Sequence, residues 1–352
     1  MAVSGPLGRL AAAAPAPVFP LCGPGFRDRV EDLGLDGRVE LVASPRHATV
    51  LLVAGDVPDD CEPALRRIHD QLPHPRAALR WRGEEAAEIA ARTHDLHRHL
   101  VTGETASEDD LLPDEPPNRW RGEGDHGQGG EGMMGGTPYG RPMAMTDDDL
   151  RDGLALDALT VRVGPFLPVL PPGLTLELTL QGDVVQSAGV RRAPFAVDSP
   201  KDESARAGSC LRHVARVAAL RELSLLARRL LAAARRIESG EPVDVGALRR
   251  AVRRSGLTMA LQPGLGGIDP ELAGRLGGHA GRAARGGGDV RSRVRQWFED
   301  AAEPPGDRAP AGDPPPAETL GELLVGLEWG QCVAVLASFD EVALSRLCGE
   351  AG

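Results

Sequence analysis

The sequence predicts two units: an α/β unit built on a parallel sheet, then an α+β unit that is mostly helical. Three observations predict this. Between residues 39 and 100 short apolar runs alternate with helical patterns, the order that gives a parallel sheet with right-handed crossovers. From residue 101 to 149 the chain turns to acids, glycines and prolines. Beyond that break the alternating segment LTLELTL precedes a long one-sided apolar pattern, as expected for a hairpin followed by a helix.

Taken in order, residues 1–17 are expected to be unstructured and residues 18–101 to form the first unit. Residues 39–43 and 49–54 are β-branched or apolar runs bounded by turn residues, which suits strands covered on both faces. Residues 61–72 place Ala64, Leu65, Ile68 and Leu72 at helical spacing, and Pro73 and Pro75 stop that helix. A strand over 77–81 and a helix over 84–100 follow. Residues 102–149 lack the apolar surface needed to offset chain entropy and are predicted to be a flexible linker. The second unit, 150–302, opens with strands over 156–163, 174–180 and 183–190, the last two joined tightly through Gln181-Gly182-Asp183. One long helix is predicted over 205–237, from Leu211, Val214, Val217, Leu220, Leu223, Ala227, Leu230 and Ile237 on one stripe with arginines opposite. Shorter helices are predicted over 245–255 and 290–302. Residues 264–288 and the proline-rich 303–316 read as loops, and 317–352 as a C-terminal helix, or helix running into a strand, with its tail.

Composition narrows the function. The chain has 352 residues, a formal charge of -11, 44 glycines, 30 prolines and only 3% aromatics. The negative charge argues against nonspecific nucleic-acid binding. Cys22, Cys61, Cys210, Cys332 and Cys348 form no CxxC and no regular framework, which fits a reducing cytoplasm better than a disulfide scaffold. Prolines 15, 17 and 20 interrupt the apolar N-terminal run, against an export signal. No stretch has the ~20 apolar residues of a membrane helix, so membrane association is expected only through partners.

Residues 41–76, LVASPRHATVLLVAGDVPDDCEPALRRIHDQLPHPR, resemble the cluster-bearing small subunit of NADH:quinone oxidoreductase and of nickel-iron hydrogenases. The resemblance extends over residues 39–82 and implies a flavodoxin-like parallel sheet. In that family an SPRxAD-type segment leads to a buried strand, an AG turn and a helix ending in a DQMPxPR-like phrase. The next strand delivers a Gly-x-Cys to a four-iron, four-sulfur cluster. Here that strand ends Arg80-Trp81-Arg82-Gly83-Glu84-Glu85, without the cysteine. Residues 152–235 resemble the start of the quinone-site large subunit, related to hydrogenase large subunits. Gly164, Pro165 and Pro168 match a Gly-Pro-x-His-Pro segment, and residues 175–185 match its LxLELxGExV hairpin. Leu167 stands where that family has a histidine beside the quinone head group, and leucine can neither donate a hydrogen bond nor move a proton. The paired CxxC cysteines that hold nickel and iron in hydrogenases are absent from the sequence.

The remaining candidates carry weak signals. A cluster needs about four converging thiolates, whereas Cys22 and Cys61 read as ordinary small residues. His94, His97 and His99 cannot all face one ion on a regular helix; with His69 and His74 they read as a solvated polar face, and His126 lies in glycine-rich sequence. Arg46, near the cluster approach in the resembled subunits, reads as a loop anchor bonding to carbonyls. The GPGF at 23–26 and GLGG at 264–267 lack the spacing of phosphate loops. Asp147, Asp148, Asp149 and Asp152 lack calcium-loop spacing and are expected to begin or precede a helical turn. There is no GxSxG elbow.

The expected protein is therefore a fusion of small- and large-subunit-like units with decayed cofactor sites, oxidoreductase-like but not catalytic alone. No catalytic, cofactor-binding or metal-ligating residue is assigned, and no cofactor is expected. Its expected role is interaction or assembly with subunits of a respiratory or hydrogenase-type complex in the cytoplasm. The alternatives are an electron-transfer subunit keeping an iron-sulfur cluster through unusual or partner ligands, and a metal or redox sensor using His94, His97 and the linker.

Overall fold

The computed structural model describes residues 6–112, 145–148, 153–267, 288–302 and 317–345. Expectations for His126, Asp149, Asp152 and the loop 303–316 lie outside the described residues. The fold is a mixed α/β arrangement with one parallel and one antiparallel sheet, each of four strands in the described residues.

The first unit runs α1 (Pro6–Ala13), β1 (Ala16–Cys22), α2 (Arg27–Leu33), β2 (Val39–Leu41), β3 (Val50–Ala54), α3 (Glu62–His69), β4 (Ala77–Trp81) and α4 (Ala86–Thr102). Its strands are parallel in the order β2-β1-β3-β4. Two features depart from expectation. The stretch expected to be unstructured forms α1 and the start of β1. Strand β1 itself carries Pro17 and Pro20 in the middle of the sheet, and both are placed where no donor is needed. Even-numbered residues bond toward β2, since Ala16 N–H donates to Arg38 O and Val18 O accepts from Val42. Pro20 lies past the end of that pairing, which runs only to Leu41. Pro17 faces β3 before its pairing begins at Val50.

Alternate residues of β1 and β3 point to opposite faces. Val18, Val50, Leu52 and Ala54 pack with Val30, Leu33, Ile89 and Ala90 of α2 and α4. Phe19, Leu21, Leu51 and Val53 pack with Cys61, Leu65 and Leu72, and also with Phe166 and Phe195 from the second unit. The two units thus share a core, in which each of the two inserted rings contributes about 2 kcal/mol.

Part of the segment expected to be linker is a strap. Glu108 N–H donates to Arg76 O, its carboxylate accepts from Ala78 N–H at 3.0 Å and pairs with His69 at 2.9 Å. Ser107 Oγ accepts from Arg76 N–H, Arg76 also pairs with Asp110, and the Asp70 carboxylate accepts from Leu111 and Leu112 N–H, each at 2.9 Å. Residues 107–112 are held by these bonds across the end of α3 and the outer edge at the start of β4.

The second unit begins with the antiparallel sheet β5 (Met145–Asp148), β6 (Ala155–Val163), β7 (Thr175–Gln181) and β8 (Val184–Arg192), in sequential order. The expected helical turn at Asp147 and Asp148 is thus a strand, paired with β6. Gly182-Asp183 closes the expected hairpin, with Gly182 at φ +60°. Then come α5 (Glu203–Leu220), α6 (Ser224–Glu238), α7 (Val245–Ser255), α8 (Leu257–Ala260), α9 (Val290–Ala302), α10 (Ala317–Leu324), α11 (Trp329–Ala337) and α12 (Glu341–Ser345). The single long helix predicted over 205–237 is two. Glu222 takes a left-handed conformation at φ +59° and Leu223 N–H turns back to Ala218 O. The apolar stripe continues on both sides of the break, so α5 and α6 both feed the second core. The expected last helix is likewise divided at Gly326, φ +79°. Its connector bonds along β8, with Val185 N–H donating to Leu327 O.

Candidate functional site

In an open α/β sheet ligands bind beyond the carboxyl ends of the strands, where the strand order reverses. Here that point lies between β1 and β3. Three strand ends are stitched together there: Gly23 N–H donates to Ala54 O at 2.7 Å and Gly55 N–H to Trp81 O at 2.8 Å. Gly55 has φ +82°, and a Cβ on it would stand 2.5 Å from the Phe26 ring. Glycine lets that ring lie across the loop, edge-on to fully buried Trp81 with centroids 5.7 Å apart. The Arg29 guanidinium sits 5.1 and 5.4 Å from the two rings and donates to Gly83 O at 3.1 Å. Trp81 Nε1–H donates to Glu84 O at 2.9 Å. Backbone donors of Glu84 itself and of Arg82 hold the Glu84 carboxyl down to about 2.

An aromatic and guanidinium stack therefore covers the ends of β3 and β4 beside that point. A four-iron cluster does not fit the residues present. Cys22 ends β1 as a single thiol rather than one of a pair, and burial pushes it up to about 12. Cys61 packs on the opposite face of the sheet, where Arg192 Nη1 donates to its sulfur at 3.0 Å. Gly83-Glu84-Glu85 supplies no sulfur where the resemblance implies a Gly-x-Cys.

Beside Cys22, between the two units, lies a cavity of about 340 Å³. Its walls include Val30 and Leu41 from the first unit and Leu167, Ala219 and Leu231 from the second. Arg27, Glu31 and Arg216 complete one side. Leu167, standing where the large-subunit resemblance implies a histidine, brings no proton donor of its own to the cavity.

The charged side belongs to a network that sequence reasoning missed. Arg212 and Arg216 were expected on a solvent face of their helix, yet both point into the junction with α2. Arg212, 1% exposed, forks onto Glu238 at 3.0 and 2.7 Å and reaches Asp32 at 2.8 Å. Arg216 donates to Glu31 at 2.6 Å, Asp28 at 2.6 Å and Glu341 at 2.9 Å. Arg27 also meets Glu341, at 3.2 Å. Burial opposes ionisation of Glu341, but Arg27 and Arg216 outweigh it and hold the carboxyl below its usual value. Burial works to lower the Arg212 pKa; Glu238 and the carboxylates of α2 outweigh it and raise that pKa. The readable signal was the match of DRVED on α2 to two arginines one turn apart on α5.

The other candidates separate. His97 is buried rather than solvated: Nδ1 meets Thr49 Oγ1 at 2.8 Å and Nε2 meets Ala11 O at 3.1 Å. Both ring nitrogens are engaged in tying α1 to the sheet, and burial lowers its pKa. His99 pairs with Glu104 at 3.3 Å, His74 contacts Ser107, and His69 lies between Asp70 and Glu108. Among the described residues no group of three metal-ligating side chains converges. Arg46 is exposed in a short turn, where its backbone N–H donates to Ser44 Oγ. Among the described residues its guanidinium anchors no carbonyl. Arg293 Nη1 donates to Gly266 O in the GLGG segment, a packing role. No helix of the described residues is long and apolar enough to cross a membrane.

Comparison with known proteins gives a short match. Forty-eight residues of this chain are 48% identical to an NADH-quinone oxidoreductase subunit of a Nocardioides species, covering 14% of this chain and 26% of that protein. The chain thus spans about a quarter of that relative's length. No family model and no solved structure matches. The resemblance to an NADH-quinone oxidoreductase subunit is real but partial.

Proposed function

We propose that this chain is an interaction or assembly protein related to NADH:quinone oxidoreductase or hydrogenase-type complexes, without a redox centre of its own. It combines a small-subunit-like unit with an abbreviated large-subunit-like unit. The observation that supports this reading is the packed stack of Phe26, Trp81 and Arg29 at the strand ends, beside the loop where the resemblance implies a cluster cysteine. The shared core around Phe166 and Phe195 supports a role in which the surfaces between subunits persist while the electron path is lost. Its partners would be subunits of the parent complex, met in the cytoplasm.

The test is anaerobic purification of the full chain from cells expressing such a complex, with iron and acid-labile sulfide determined and co-purifying subunits identified. The expected product is colourless and carries complex subunits. Stoichiometric iron and sulfide with a reducible paramagnetic signal would overturn the reading in favour of electron transfer through partner ligands, and bound zinc, copper or nickel without sulfide would favour a sensor.

A further inference from the structure

The cavity between the units has a lining that specifies a ligand different in kind from anything the crevice could hold. Its volume of about 340 Å³ is roughly twice that of the ~150 Å³ apolar cavity known to admit benzene. Hydrocarbon side chains from both units make up most of the wall, among them Leu41, Val169, Leu170 and Leu231. The three charged residues on the wall are already committed. Arg27 meets Glu341 at 3.2 Å and Glu31 at 3.8 Å; Arg216 meets Glu31, Asp28 and Glu341, all within 2.9 Å. An ionic head group entering here would compete with those pairs and meet like charge beside each opposite one, which is costly. Leu167 supplies no hydrogen bond, and the Cys22 thiol is only a weak donor.

We propose that this cavity binds a small, uncharged, predominantly hydrocarbon molecule of about a dozen carbon atoms, and that the bound molecule strengthens the union of the two units because it touches both. The inference stands whether or not the chain joins a larger complex. A ligand that binds only the folded, docked form raises its stability by mass action.

The experiment uses the full chain and measures thermal unfolding and calorimetric binding with 1-decanol, sodium decanoate, decyltrimethylammonium and a short-chain benzoquinone, each below its aggregation limit. The expected result is saturable binding of decanol with a rise in melting temperature. Both charged decyl compounds, and the quinone, whose two carbonyls reach the Arg27 and Arg216 donors only in competition with the carboxylates already paired there, bind at least tenfold more weakly. Ala219→Trp, which projects bulk into the cavity from an exposed position, weakens decanol at least tenfold while its circular dichroism matches wild type. Leu231→Phe provides a second obstruction should the first variant fold poorly, and Met259→Trp, at an exposed site outside the cavity wall, binds like wild type. Absence of saturable decanol binding, equal binding of decanoate, or undiminished binding by both obstructed variants would overturn the proposal.

Discussion

Replacing Arg212 by methionine removes the cation at the centre of the junction while keeping most of the side-chain volume. Glu238, Asp32 and Glu31 are then left close together without their shared partner. Removing one member of a buried pair typically costs about 3–5 kcal/mol. The carboxylates are 29%, 22% and 14% exposed, so water offsets part of the surplus charge and the expected loss is about 3 kcal/mol. Urea unfolding followed by tryptophan fluorescence and by circular dichroism reads this as a fall in midpoint of roughly 1 M. Adding Glu238→Gln to the variant removes one uncompensated charge and recovers about 1 kcal/mol. A midpoint fall under roughly 0.3 M, or a double variant whose loss is the sum of the singles, would refute the view that this network holds the units together.

Protonation offers an independent probe. His213 is buried against Trp297, with centroids 4.4 Å apart, and burial followed by the Arg216 charge lowers its pKa. Its folded pKa lies below the unfolded value of about 6.5, so the unfolded chain takes up the proton first. Its contribution is flat above about pH 6.5 and turns into a loss of stability as the pH drops below it; His97, lowered by burial too, adds to the slope, and His213→Gln removes the His213 share. Asp28 and Glu341, both held low by arginines against the opposing effect of burial, add a further loss below about pH 4; Asp32, raised by burial, opposes it. Urea midpoints between neutral and acid pH measure both steps. Glu222→Gly relieves a left-handed residue between α5 and α6 and is expected to raise stability by about 0.5 kcal/mol, read by thermal melts. Asp70→Asn weakens the acceptor of two backbone donors and is expected to speed hydrogen exchange at Leu111 and Leu112 by at least tenfold, with exchange in β3 unchanged.

Much of the parallel unit was legible because its strands are short apolar runs with turn residues at both ends. β4 and the helices α7 and α9 fall at the residues the pattern gives. What escaped depended on contacts distant in sequence. β1 was hidden by prolines that are harmless only because of where neighbouring strands start and stop. The α5–α6 reversal was hidden because the apolar stripe keeps phase across Glu222. Arg212 and Arg216 looked solvent-facing because helical periodicity cannot announce that another helix covers the polar side. The missing cluster cysteine was visible in the sequence; that Phe26 and Arg29 close over the same place needed coordinates.

The strap has a consequence for how the molecule behaves in company. β4 is an outer strand, and open strand borders invite pairing with other chains. Ser107 and Glu108 occupy the main-chain groups of Arg76 and the donor of Ala78 on that border, while the acids around them surround it with negative charge. A full-length form carrying Ser107→Gly and Glu108→Gly would loosen the cover over these groups beside apolar Leu79, giving a sheet primed to recruit its own kind and a protein prone to aggregate at concentrations the unaltered chain tolerates.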